Sequence, residues 1–255
     1  MRRVLSIAPP ILLVALLLVA WELACRVTHT PQYLLPPPSA IAAALVANAS
    51  ILAVSGWRTL AMALEALVVA IVFGGGLALV VTLSRTLDQA FRPLATALQV
   101  TPVVAIAPLF VIWMGVDHPD RAIIALAAIV AFFPIFSGTV RGLTSADPDL
   151  ERLFDLYGAK PLQRLTRLRL PAAVPFIIEG AKVASGLAII GAVVAEFVAG
   201  SGGAQGLAWR ILEAGNRLET AKMFAAIVAL ALMAAGVHLV FQNLERRGLK
   251  WWRGR

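Results

Sequence analysis

The chain has 255 residues, of which 60% are hydrophobic and 14% are charged, whereas a soluble domain carries about 25% charged residues. This composition excludes an ordinary soluble domain and indicates an all-α, polytopic membrane protein. The formal net charge of +8 does not indicate nucleic-acid binding, because the basic residues are divided among short segments between apolar runs.

The sequence lacks the residue clusters that disulfides, metal sites and nucleotide sites require. Cys25 is the only cysteine, and His29, His118 and His238 lie far apart, with no HExxH spacing. No GxxxxGK[ST] phosphate loop is present either. We therefore expect no catalytic residue, no metal and no cofactor bound by this chain.

Six transmembrane helices are predicted in chain order. The first covers about residues 7–25, and we interpret it as uncleaved because the apolar run is long for a signal peptide. Residues 26–57 form an external segment, in which Ser39 caps an interfacial helix from Ala40 to about Leu52. An internal loop is predicted at residues 84–92. The other spans are predicted at about residues 59–83, 93–114, 121–140, 174–200 and 223–244.

The distribution of lysine and arginine predicts the orientation. With a cytoplasmic N-terminus, fifteen of the 22 Lys and Arg residues fall in internal segments and six in external ones, which the positive-inside rule favours. Both termini are therefore expected in the cytoplasm. The predicted division is residues 1–58, an N-terminal transmembrane helix with an external amphipathic segment; 59–244, a core of five transmembrane helices; and 245–255, a basic cytoplasmic tail.

Small residues and prolines predict how two of the spans pack. Gly74, Gly75 and Gly76 in the second predicted span would let another helix approach closely. The third predicted span contains Pro102 and Pro108. Because prolines free backbone carbonyls, this span is expected to face protein or water rather than lipid.

The longest segment of mixed charge runs from Asp147 to Pro171 and reads DPDLERLFDLYGAKPLQRLTRLRLP. Asp147 and Pro148 are typical of a helix start. Gly158 is expected to end or bend that helix, and Leu170 with Pro171 predicts the next boundary. Between them, an apolar stripe at helical spacing consists of Leu150, Leu153, Phe154 and Tyr157.

This segment carries a family resemblance. Gly158, nine further residues and the ending Leu168-Arg169-Leu170-Pro171 resemble the EAA loop of bacterial ABC-importer permeases. The EAA triplet itself is replaced by Arg152, Leu153 and Phe154, and Glu151 stands one position before it. In that family the loop is the coupling helix, which sits in a cleft of the ATPase subunit.

The resemblance implies which side chains of this EAA-like loop (residues 147–171) contact the ATPase. They are Glu151, Arg152, Leu153, Phe154, Asp155, Tyr157, Gly158, Ala159, Leu168, Leu170 and Pro171. Arg164 is expected to be exposed and of little importance. The alternative interpretation is a basic amphipathic loop that lies on anionic membrane lipid.

The resemblance covers about residues 35–244. The phrase LPPPSAIAAAL resembles the LPSP-type motif of the nitrate, sulfonate, taurine and pyrimidine-precursor branch, and residues 181–203 resemble pyrimidine-precursor or riboflavin permeases. These likenesses imply a type I, MetI-like permease of the bacterial inner membrane, acting as a homodimer. They also imply two cytoplasmic ABC ATPase subunits, which use ATP and Mg, and an extracytoplasmic solute-binding protein. The solute would be a small polar organic molecule or anion of that branch.

A translocation pathway needs polar lining, and Gln99, Thr101 and Glu196 are the candidates. Two interpretations of Glu196 stay equally open. It lines the pathway, or it is an interfacial carboxylate that pairs with Arg210 or Arg217.

Two rival function classes are a secondary transporter and a membrane-embedded enzyme. A secondary transporter would show repeated halves with interrupted helices, which six spans and one EAA-like loop fit poorly. An enzyme would need a cluster of titratable residues. Asp117, His118 and Asp120 form such a group, but they crowd a tight turn that more simply marks exposure.

Overall fold

A computed structural model describes residues 2–100, 102–115, 117–199 and 205–253 of the chain. Within these ranges the protein is helical, without any β-strand. The helices are α1 (Arg2–Val27), α2 (Pro38–Ala47), α3 (Ala49–Val81), α4 (Arg85–Val100), α5 (Val103–Met114), α6 (Pro119–Leu143), α7 (Pro148–Leu156), α8 (Pro161–Ala199), α9 (Leu207–Asn216) and α10 (Thr220–Arg253).

Four of the described helices are long and apolar enough to cross a membrane, namely Ala49–Val81, Pro119–Leu143, Pro161–Ala199 and Thr220–Lys250. They correspond to four of the predicted spans, although two begin earlier than predicted. α3 begins at Ala49 rather than near residue 59, and α8 begins at Pro161 rather than near residue 174.

The predicted third span is wrong as a single helix. α4 ends at Val100, α5 begins at Val103, and Pro102 between them is extended with φ −70° and ψ 98°. The break has a physical cause, because proline has no N–H and disfavours a helical conformation in the preceding residue. Residues 85–92, predicted as part of a loop, are the first half of α4.

The boundary predicted at Leu170-Pro171 is also wrong, because α8 passes through Pro171 without a break. A π-helical segment, Leu165–Arg169, immediately precedes that proline. Proline cannot donate to the carbonyl four residues earlier, and a π turn widens the helix at such a point. α3 contains a similar π segment, Ile71–Gly75.

The chain divides into two compact units. Unit 1 comprises Met1–Trp57 and Gln205–Ala231, and unit 2 comprises Arg58–Ala204 and Leu232–Arg255. The division predicted from the sequence was drawn by topology rather than by packing, and it stays a prediction.

In unit 1, the side chain of Ser39 does not cap α2. Its hydroxyl donates to Glu22 Oε1 at 2.8 Å, and its backbone N–H donates to Glu22 Oε2 at 3.0 Å. Pro38 occupies the first turn of α2 instead, where its missing N–H costs nothing. The helix ends at Ala47 rather than near Leu52, because Asn48 leaves the helical conformation with φ −109° and ψ 14°.

In unit 2, α6 and α8 pack with their backbones in close contact. A Cβ built on Gly142 would lie 2.8 Å from Ala173 Cα, and one built on Gly191 would lie 2.8 Å from Ala127 Cα. Small residues of this kind let two membrane helices approach without a gap. Of the three glycines singled out in the sequence, Gly74 alone contacts a neighbour closely, since a Cβ there would lie 3.2 Å from the carbonyl oxygen of Phe132.

Candidate functional site

The helix predicted inside the EAA-like loop is confirmed as α7. Asp147 caps it, with its Oδ1 accepting from the Asp149 N–H at 2.8 Å, and Pro148 occupies the first turn. At the other end Gly158 has φ +62°. The N–H groups of Gly158 and Ala159 donate back into the last turn at 3.0 Å, a C-terminal cap that favours glycine at the left-handed position.

Large apolar side chains are exposed at the C-terminal end of α7. Tyr157 is 82% exposed and Leu156 is 84% exposed, while Leu153 and Leu150 are about half covered. Leu156 was missed in the sequence, because it lies to one side of the stripe formed by Leu150, Leu153, Phe154 and Tyr157. Six residues of α7 and the start of α8 line one open groove, namely Leu153, Phe154, Tyr157, Ala159, Gln163 and Arg167.

Glu151 ties α7 to the start of α8. Arg169 Nε donates to Glu151 Oε1 at 2.6 Å, and Arg164 Nη1 lies 3.3 Å from Glu151 Oε2. Arg164 also pairs with Asp155. The expectation that Arg164 is exposed is therefore wrong, since its side chain is only 23% exposed. The sequence could not show this, because Arg164 and Glu151 meet only after the chain reverses at Gly158.

The remaining residues of the EAA-like loop do not converge on one surface. Arg152 pairs with Asp149 at 3.0 Å on the solvent side. Leu168 is buried and Leu170 is half-buried, whereas Tyr157 is exposed. Pro171 is exposed, and its carbonyl oxygen accepts from the indole N–H of Trp252 at 2.9 Å.

Glu196 is fully buried in α8 and accepts a hydrogen bond from Thr59 Oγ1 at 2.6 Å. Thr59, in α3, is fully buried as well. The bond joins two positions 137 residues apart, and no local pattern in the sequence indicates Thr59 as the partner. It ties α3 to α8 within unit 2.

The two arginines considered as partners of Glu196 pair with Glu213 in unit 1. Arg210 Nη1 lies 2.8 Å from Glu213 Oε2, and Arg217 Nη2 lies 3.0 Å from Glu213 Oε1. Arg210 Nε also donates to Ser55 Oγ at 3.1 Å. The hydrogen bond from Arg210, together with the charges of Arg210, Arg217 and Lys222, holds the pKa of the Glu213 carboxyl below its ordinary value.

The other two candidate pathway residues cannot be placed beside Glu196. Thr101 lies outside the described residues, and so does the side chain of Gln99, although its backbone belongs to α4. Among the described residues, no group of three or more His, Cys, Asp or Glu side chains could hold a metal ion.

Comparison with known proteins gives a family and several full-length relatives. Residues 66–249 match a family model described as "Binding-protein-dependent transport system inner membrane component". The chain is 32% identical over 252 residues to the formylaminopyrimidine transport permease protein ThiX of Halalkalibacterium halodurans, covering 98% of each chain. It is 33% identical over 238 residues to the riboflavin transport system permease protein RibX of Chloroflexus aurantiacus, covering 92% of this chain and 87% of RibX.

A solved structure shares the fold. The crystal structure of an amino acid ABC transporter with histidines aligns with a TM-score of 0.64, covering 79% of this chain and 94% of that one. The aligned residues are 15% identical, so this likeness concerns the fold alone.

Proposed function

This chain belongs to the binding-protein-dependent transport system inner membrane components and is the permease of an ABC importer; on that premise we propose that α7 is its coupling helix. The observation that carries the proposal is that Leu156 and Tyr157 are exposed on a short helix fixed to the start of a membrane-spanning one. Exposed apolar side chains of this kind fit a groove on a soluble partner. That partner is an ATPase subunit, which binds ATP and Mg in place of this chain.

The coupling helix can work only if it moves together with the spans. Glu151 supplies this connection, because it pairs with Arg164 and Arg169 in the first turns of α8. α8 then continues without interruption to Ala199. When the ATPase dimer closes and displaces α7, the displacement passes through these ion pairs into α8.

We propose the following topology for the whole chain. Six spans are formed by α1, α3, the interrupted pair α4 and α5, α6, α8 and α10, with both termini in the cytoplasm of a bacterial cell. Two copies of the chain enclose the pathway, two ATPase subunits bind inside, and a solute-binding protein docks outside. The positive-inside distribution of lysine and arginine supports this orientation.

The substrate class follows from the relatives by analogy. Two of them are named for the transport of formylaminopyrimidine and riboflavin, and others for aliphatic sulfonates and taurine. We propose that this permease carries a small polar organic solute or anion of the same group. The solute-binding protein, not this chain, would select among them.

For the polar lining of the pathway, Gln99 and Thr101 stay our candidates, together with Glu196. The contacts of Glu196 support a second role more strongly, because its side chain is fully buried and bonded to Thr59. A buried carboxylate held by a hydroxyl of another helix fixes the two helices relative to each other. Glu196 would then hold α3 against α8 during transport.

The substitution Gly158→Val tests the coupling proposal. Nothing lies within 4 Å of a Cβ built there, so the substitution strains the backbone through the positive φ alone, at a cost of about 1 kcal/mol or more. We expect a membrane-inserted protein of normal abundance that fails to retain the ATPase and whose uptake falls to background. Pull-down of the ATPase and uptake into proteoliposomes measure the two effects.

The matched control is Gly186→Val, where a Cβ also meets nothing within 4 Å but φ is not positive. This variant should bind the ATPase normally. Normal transport by Gly158→Val would overturn the proposal, since α7 would then be a lipid-facing helix and not a coupling helix.

A further inference from the structure

The C-terminal end of α10 runs antiparallel to residues 171–182 of α8. Lys182 Nζ donates to Glu245 Oε2 at 2.9 Å, and Trp252 Nε1 donates to the Pro171 carbonyl oxygen at 2.9 Å. Between these contacts, a Cβ built on Gly248 would lie 2.9 Å from Ile178 Cδ1. The contacting positions run from 245 to 252 in α10 and from 182 to 171 in α8. One continuous face of the tail therefore lies on α8.

α10 is longer than a membrane crossing requires. It has 34 residues, which span about 51 Å at ~1.5 Å per residue, whereas the hydrocarbon core is about 30 Å thick. The additional length of α10 lets its C-terminal end extend past the membrane, toward the part of α8 that carries the EAA-like loop. The tail, residues 245–253, is therefore more than a charged anchor.

The carbonyl group that accepts from Trp252 lacks its regular donor within α8. In a regular α-helix, the carbonyl of Pro171 would accept from the N–H of residue 175. Residue 175 is Pro175, which has no N–H. The indole of Trp252 thus donates to a carbonyl whose usual helical donor is missing.

The position of this carbonyl along α8 matters for coupling. The π segment Leu165–Arg169 ends two residues before Pro171, and Arg169 within it contacts Glu151 of α7. A helix bends most readily where its hydrogen-bond ladder is interrupted. The bend point of α8 therefore lies between the turns that α7 contacts and the apolar length that crosses the membrane.

We propose that the C-terminal tail braces this bend point, with Trp252 as a positioning residue that keeps α8 straight between α7 and the span. The inference rests on the proposed function, because it matters only if α7 transmits movement. Without the brace, displacement of α7 is absorbed by bending at Pro171 and does not reach the span. ATP hydrolysis then continues with little transport.

Two substitutions separate the hydrogen bond from the other properties of the tail. Trp252→Phe keeps an aromatic ring that packs or lies at the membrane interface, and removes the N–H donor alone. Pro175→Ala restores a backbone N–H at residue 175, which can then donate to the Pro171 carbonyl within α8. If Trp252 acts through that carbonyl, the second substitution makes the first one harmless.

The experiment compares the wild-type chain, each single variant and the double variant, all reconstituted with the ATPase and the binding protein. Solute taken up per ATP hydrolysed is measured, with hydrogen–deuterium exchange of residues 162–174. We expect Trp252→Phe to lower coupled uptake about fivefold, on the scale of one hydrogen bond, and to accelerate exchange. In the Pro175→Ala background, the same substitution should change uptake by less than about twofold.

An equal loss in both backgrounds would overturn the proposal, because Trp252 would then act by packing rather than through the Pro171 carbonyl. Unchanged uptake and exchange in Trp252→Phe would overturn it as well. Gly158→Val distinguishes these failures from failure of the proposed function. If uptake responds to Gly158→Val but not to Trp252→Phe, α7 is the coupling helix and the brace is absent.

Discussion

Glu151 and Glu213 each lie between two arginines, yet the two clusters join very different parts of the chain. Their side chains are equally covered, at 20% and 19% exposure. Glu213 pairs with arginines three residues before and four residues after it on the chain. Glu151 pairs with Arg169, which is 18 residues away on another helix.

The difference teaches that sequence separation, not burial, decides what an ion pair can do here. A pair at helical spacing stabilises only its own helix, by about 0.5 kcal/mol. A pair between two helices fixes the angle between them and so can transmit a displacement. Glu151 therefore belongs to the coupling proposal, whereas Glu213 is expected to stabilise α9 alone.

The largest expected effect comes from breaking the contact that holds α8 itself. Gly142→Val places side-chain atoms against the Ala173 backbone, where a Cβ alone would lie 2.8 Å from Cα and 2.9 Å from the carbonyl oxygen. Because backbone cannot yield as a side chain does, we expect a loss of about 3 kcal/mol or more. Size-exclusion chromatography in detergent should show little monodisperse protein.

Gly186→Val serves as the control for this substitution, since it adds the same side chain to α8 where nothing lies within 4 Å. It should give a normal chromatogram. If Gly142→Val is equally well behaved, α6 and α8 are not held by close backbone packing, and the position of the EAA-like loop must be fixed by other contacts.

The next largest effect is expected from the Glu151 cluster, which joins α7 to α8. Glu151→Gln removes the charge that Arg164 and Arg169 share, and the charged hydrogen bond with Arg169 is worth about 1.5–3 kcal/mol. We expect uptake to fall about tenfold with normal protein yield, as measured in proteoliposomes. Arg164→Gln should reduce uptake similarly, because Arg164 is the partner of Glu151 and not an exposed side chain.

Asp149→Asn is the matched control on the same helix. The pair between Asp149 and Arg152 is open to solvent, with side chains 84% and 79% exposed, and such pairs contribute little. Uptake should stay at the wild-type level. Equal losses in Asp149→Asn and Glu151→Gln would mean that net charge on α7 matters, rather than its connection to α8.

Local features of the site could be predicted from the sequence, and contacts between distant residues could not. The helix start at Asp147 and the helix end at Gly158 follow from neighbouring residues, and both were predicted. The partner of Glu151 depends on how the chain folds back after Gly158. The bond between Thr59 and Glu196 depends on the register of two helices 137 residues apart.

The same distinction explains the errors in the helix boundaries. Pro102 was placed inside a single predicted span and Pro171 at a predicted boundary. The chain does break at Pro102, but at Pro171 it passes on through a π segment. Hydropathy around a proline therefore does not show whether the helix breaks there or continues through a π segment.

A smaller effect is expected for the buried pair of Thr59 and Glu196. Thr59→Val removes the donor and keeps the shape, so the Glu196 carboxylate loses one hydrogen bond at a cost of about 1–3 kcal/mol. Thermal unfolding in detergent should show a lower Tm, while Thr59→Ser, which keeps the hydroxyl, should stay close to wild type.

Glu196→Gln then separates the two roles of Glu196. The amide oxygen still accepts from Thr59, so a residue that ties α3 to α8 should tolerate this substitution, with uptake within about twofold of wild type. A complex that is stable but no longer transports would instead assign Glu196 to the pathway lining.

The smallest effect concerns Glu213 and is visible only as a dependence on pH. Its pKa is lowered in the folded protein, first by the hydrogen bond from Arg210 and then by the neighbouring positive charges. A carboxyl whose folded pKa is lowered contributes stability above its unfolded pKa and loses it as the pH falls through the folded value. Between pH 6 and pH 3.5, the Tm of the wild type should therefore fall about 1–2 °C further than that of Glu213→Gln. Coupled uptake at pH 7 should be the same in both proteins, because the ion pairs of Glu213 stay on its own helix. A loss of uptake in Glu213→Gln at pH 7 would show that a cluster at helical spacing also transmits movement, and the contrast with Glu151 would fail.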